Sequence, residues 1–144
     1  MSEPILAAPP DVIDDDPLVI TFMTRNVVAL DAGADVGAAL REMARHGVRH
    51  LVVLTGVQAD GVVTEASVVR AIADDRADTP VGRLRTALPR LATSARRSDA
   101  ARRMVDHRVD AVLVVADPDS SGSAVVGIVT ATDLLRSLAG RVQD

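Results

Sequence analysis

The chain has 144 residues, 48% of them hydrophobic, with a formal net charge of −4 and a single aromatic residue, Phe22. At this length folding buries roughly 68–70% of the unfolded chain's surface, so a core is available, and it must be aliphatic. The shortage of aromatics argues against nucleic-acid readout by base stacking, and zero cysteine excludes disulfides, thiolate nucleophiles and thiolate metal sites together.

Charge is unevenly spread. Residues 1–18 hold Glu3, Asp11, Asp14, Asp15 and Asp16 with no base, while residues 79–144 hold ten Arg against seven acids. With Pro4, Pro9, Pro10 and Pro17, residues 1–18 read as a disordered acidic leader. Met1-Ser2-Glu3-Pro4 lacks a signal peptide's positive region, and apolar runs such as Ala111 to Ala116 fall far short of the ~20 residues of a membrane span. The expectation is a cytoplasmic protein without membrane contact.

In chain order, Val27–Leu30 reads as a short strand. Asp35 is the expected N-cap of a helix with Val36, Leu40 and Met43 on one face and Gly47 as its stop. His50–Leu54 and Gly61–Thr64 are two strands with a hairpin-like connection from Thr55 to Asp60, and Thr64 caps a second helix bearing Val68, Val69 and Ile72. Thr79-Pro80 predicts a short helical turn. Strands near Arg90–Thr93, Ala111–Ala116 and Ala124–Val129 follow, with helices near Arg96–His107 and Ala131–Leu138, the last stopped by Gly140.

This order is a β-α-β-β-α unit used twice, 19–78 and 79–144. At an offset of 61, Met43 meets Met104 and His46 meets His107, informative matches in a chain with four Met and three His. Past a turn-rich insertion from Asp117 to Ser123 the offset becomes 66, and Gly61-Val62-Val63-Thr64 lies over Gly127-Ile128-Val129-Thr130. A unit with three short strands and two helices leaves apolar faces uncovered, so the two copies should pack with pseudo-two-fold symmetry in one α/β (α+β) module.

Gly127-Ile128-Val129-Thr130-Ala131-Thr132-Asp133-Leu134 resembles the signature of the cystathionine β-synthase (CBS) domain, and Phe22-Met23-Thr24 and Gly47-Val48-Arg49-His50-Leu51 support the likeness. Two copies resemble a Bateman module, a tandem CBS pair covering residues 19 to about 139. The resemblance implies a regulatory adenosine-containing ligand (AMP, ADP, ATP or S-adenosylmethionine type) bound between repeats, no required cofactor, and a homodimer. It also implies that the segment before the first strand of one repeat completes the site of the other. Thr24, Val28, Ile128, Thr130 and Asp133 are thereby one candidate site.

Chemistry suits that set. A strand ending in Thr130 at a helix start offers a hydroxyl and free N–H groups where the dipole favours a phosphate, and the Asp133 carboxylate can accept from two ribose hydroxyls. Without a ligand, Asp133 still serves as a first-turn acid worth ~0.3–1 kcal/mol. In repeat one Ser67 stands where the family has Asp, and Glu65 adds negative charge, so Arg49, His50, Val62, Thr64, Ser67 and Thr86 form a second, less complete candidate site. His50 reads either as a phosphate contact or as an exposed strand-edge residue.

His46 and His107 suit the last turns of their helices as cations. The run of Arg83, Arg85, Arg90, Arg96, Arg97, Arg102 and Arg103 is a solvated face or an anion or partner surface. No nucleophile elbow, paired carboxylates or metal-ligand cluster is present, so neither catalytic nor metal residues are assigned. Two functions remain: a ligand-sensing regulatory module, or a ligand-free scaffold for dimerisation and protein interaction with an unidentified partner.

Overall fold

The computed structural model describes residues 15–120 and 123–143. Repeat one runs β1 (Ala29–Asp31), α1 (Val36–His46), β2 (His50–Thr55), β3 (Gln58–Thr64) and α2 (Glu65–Ala73); repeat two runs β4 (Arg90–Ala92), α3 (Arg97–His107), β5 (Ala111–Val115), β6 (Val125–Thr130) and α4 (Ala131–Gln143). Each repeat forms one three-stranded sheet, with its first strand parallel and its third antiparallel to the middle one.

Local chemistry sets the boundaries as expected. The Asp35 side chain accepts from the Ala38 N–H at the start of α1, and Gly47 ends that helix at φ 65 in the left-handed region. Thr64 and Ser67 form a reciprocal capping box on α2. At the end of α3 the left-handed position belongs instead to Arg108, at φ 56.

Several expectations are corrected. Leu40, Val69 and Ile72 are exposed; Ala39 and Ala71 are buried in the helix faces instead, with Val36, Met43 and Val68. Gly140 does not stop α4, which continues to Gln143. The hairpin turn is tighter than expected, because Thr55 already pairs with Gln58. The helical turn after Pro80 spans Val81–Arg83, with Pro80 at its N-cap position.

Three buried clusters hold the fold together. In the first, Leu51, Val53 and Val63 meet α1, α2 and also Val81; in the second, Leu91, Val112, Val114 and Val129 meet Ala100, Met104 and also Val19 and Met23. Each repeat thus completes its core with residues from the other sequence repeat. Backbone bonds secure the exchange: Val19 N donates to Ala95 O at 2.8 Å, and Val81 N to Ala34 O at 2.8 Å. The third cluster, with Val52, Ala59 and Val62 against Ala111, Leu113, Val115 and Ile128, joins the two sheets face to face.

The end of the expected leader is also corrected. Asp16 accepts from the Ser98 N–H at 2.8 Å and the Ser98 hydroxyl at 2.6 Å, and its backbone carbonyl accepts from Arg96. Arg97, buried at the start of α3, donates to Asp15 O and to Ser137 Oγ. Residues 15–18 are therefore docked on repeat two, while residues 1–14 of that leader lie outside the described residues.

Candidate functional site

The exchange of segments creates two related junctions. Thr24 forms a two-bond bridge with Ile128 on β6, at 2.9 and 3.0 Å, and Thr86 a matching bridge with Val62 on β3, at 2.9 and 2.7 Å. The glycines beside them have a steric reason. A Cβ on Gly61, which has φ 130, would overlap the Thr86 carbonyl, and one on Gly127 would overlap the Met23 side chain.

At the first junction lies a cavity of about 390 Å³. Thr24 and Asn26 line it from one segment, Ile128, Thr130, Thr132, Asp133 and Arg136 from β6 and α4, and Gly47, Val48, Arg49 and His50 from the passage between α1 and β2. Asp133 is 6% exposed. Its Oδ2 accepts from the Thr130 N–H at 2.9 Å, its own N–H donates to Thr130 Oγ1 at 3.2 Å, and the Thr24 hydroxyl lies 3.1 Å from both carboxylate oxygens. A carboxylate offers about four acceptor positions, so these two donors leave acceptor capacity on a residue that lines the cavity. Arg49 and Arg136 supply positive charge around it.

The residues expected by sequence are therefore regrouped. Thr24, Ile128, Thr130 and Asp133 share one cavity, but Val28 is absent from its walls and packs against the core of repeat one. Arg49 and His50, expected at the second site, line the Asp133 cavity, so repeat one contributes basic side chains to it. Arg136 was not anticipated, although its i,i+3 spacing from Asp133 on a helix could have signalled it; nothing in the sequence marked Asn26.

The second junction holds a cavity of about 310 Å³ with Val62, Thr64 and Thr86 facing Arg108, Val109 and Asp110. Ser67 is not among its walls. It lines a separate cavity of about 300 Å³ with Arg70 and Asp74, and its hydroxyl donates to Thr64 O at 3.0 Å. With Ser67 at the position equivalent to Asp133, this junction lacks the buried carboxylate of the first. A larger cavity of about 740 Å³ lies elsewhere, beside β4 and α3; the Asp133 cavity is preferred because residues of both repeats converge there on a buried carboxylate. Among the described residues no helix is long and apolar enough to cross a membrane, and no group of three or more His, Cys, Asp or Glu could hold a metal ion.

Comparison with known proteins agrees with this architecture. No curated protein matches the sequence. The CBS domain pair of protein MJ0100, solved in complex with 5′-methylthioadenosine and S-adenosyl-L-methionine, is 20% identical, with a TM-score of 0.73 over 88% of this chain and 98% of that one. A conserved CBS domain protein of unknown function from Thermoplasma acidophilum is 25% identical, with a TM-score of 0.71 over 88% and 73%. The cytosolic domain of the Mg²⁺ channel MgtE, solved with ATP, is 23% identical, with a TM-score of 0.66 over 84% and 48%. The CBS domain model matches twice, over residues 11–74 and 81–140. With both repeats matched and the same paired fold in these structures, the chain belongs to the CBS domain family.

Proposed function

We propose that the chain is a regulatory module that binds an adenosine-containing ligand in the cavity between its repeats. The observation that carries this is the buried Asp133 carboxylate, placed by α4, bonded to Thr24 of the other repeat and facing a cavity with Arg49 and Arg136. Asp133 accepts from the ribose hydroxyls. The backbone N–H groups at the start of α4, with Arg49 and Arg136, meet the phosphates or the carboxylate of the ligand, and aliphatic walls such as Val48 and Ile128 hold the base. The ligands in the MJ0100 and MgtE structures support the adenosyl class. Ligand that touches both repeats favours one packing of the two sheets by its differential affinity, which is the regulatory step. A thermal-shift panel of AMP, ADP, ATP and S-adenosylmethionine tests the proposal: a raised transition with at least one supports it, and no shift with any at millimolar concentration overturns it.

A second reading, a scaffold that dimerises without sensing a ligand, is favoured by Val69, 52% exposed on α2, and Leu135, 67% exposed on α4. Such apolar positions suit a homodimer interface, and both readings include that dimer.

A further inference from the structure

The cavity beside β4 and α3, about 740 Å³, takes no part in the site proposed above. Three guanidinium groups line it, Arg90 from β4 and Arg102 and Arg103 from α3. Two carboxylates are also present. Asp99 is engaged by the Arg96 N–H at 2.8 Å at the start of α3, and Asp119 stands on the loop after β5. Arg103 donates to Arg90 O at 3.0 Å, and Arg90 reaches into the other repeat to donate to Ala59 O at 2.5 Å. Each guanidinium has five N–H donors, so these single bonds leave most donors uncommitted. Arg102 is exposed. Repeat one has no such cluster, since at the same offset it carries Ala29, Arg41 and Glu42.

We propose that this cavity is a second effector site, binding an oligophosphate group through Arg90, Arg102 and Arg103. Planar guanidinium forks suit phosphate oxygens, and three of them outweigh the two carboxylates. Occupancy reaches the module through Arg90. Its partner Ala59 belongs to the cluster that joins the two sheets, so an anion that competes for the Arg90 donors alters the packing between repeats.

Inorganic tripolyphosphate is the probe, titrated calorimetrically into the full chain and into two variants. Arg102→Ala should weaken binding by about tenfold or more, with an unchanged thermal transition because the side chain is exposed. Arg45→Ala, an exposed arginine of α1 outside both cavities, should bind tripolyphosphate as the parent does. A challenge with ATP then separates the sources: displacement identifies a nucleotide-borne oligophosphate, and persistence a free one, each at this cavity. No binding by the parent at millimolar concentration, equal binding by Arg102→Ala, or loss of binding in Arg45→Ala overturns the proposal.

Discussion

The hydroxyl of Thr24 stands 3.1 Å from both oxygens of Asp133, across 109 residues of sequence. A carboxylate that is 6% exposed needs such donors, because removing one from a buried charged acceptor costs about 1.5–3 kcal/mol. Thr24→Val keeps the shape and deletes the donor. Urea denaturation should show a stability loss of about that size with an unchanged slope; an unaltered midpoint would mean that this contact contributes nothing to holding the repeats together.

Gly61 and Gly127 occupy equivalent places but should respond differently to alanine. At Gly61 the φ of 130 and the Thr86 backbone both oppose a Cβ, whereas at Gly127 the obstacle is the flexible Met23 side chain. Strain of this kind costs about 1–3 kcal/mol. Thermal unfolding should rank Gly61→Ala as the more destabilised variant; equal losses would contradict the steric reason given for the glycine of repeat one.

Asp16 supplies the pH dependence. Hydrogen bonds from the Ser98 hydroxyl and backbone N–H hold its carboxyl below the ordinary value near 3.8, so the folded pKa is depressed. The contribution is fully present above the unfolded pKa and is lost as pH falls through the folded one. Protection of the Ser98 amide from hydrogen exchange, taken relative to its intrinsic rate, should be high at neutral pH and fall in acid below the ordinary value near 3.8. Asp16→Asn should show low protection at neutral pH as well, and high protection there would remove Asp16 as the cause.

The helix surfaces make the dimer testable. Leu135→Glu and Val69→Glu place charge at exposed apolar positions, where monomer stability should change by no more than about 0.5 kcal/mol. Light scattering should report a dimer for the parent and a monomer for at least one variant. A parent that elutes as a monomer at micromolar concentration contradicts the proposed interface.

Much of the fold was legible because its signals are local. The Asp35 cap, the Gly47 stop, the Thr64 cap and the paired Met and His positions each declare themselves within a few residues or at one fixed offset. What the sequence hid is long-range. Val19 and Met23 complete the core of repeat two and Val81 that of repeat one, an exchange no periodicity reports. For the same reason Arg49 and His50 belong with Asp133, a grouping that depends on how the repeats face each other. Helical spacing placed Leu40, Val69 and Ile72 on apolar stripes but could not say how much of each stripe a neighbour covers.

The most direct test of adenosyl-ligand binding is equilibrium titration of ATP and S-adenosylmethionine into the parent, Asp133→Ala and Arg49→Ala. Arg49 is exposed, so its variant remains folded even if removal of Asp133 weakens the helix start. Saturable one-site binding by the parent, weakened by about tenfold or more in both variants, is expected. Binding that both folded variants retain at parental strength, or no binding of either compound by the parent, would contradict ligand recognition at this junction.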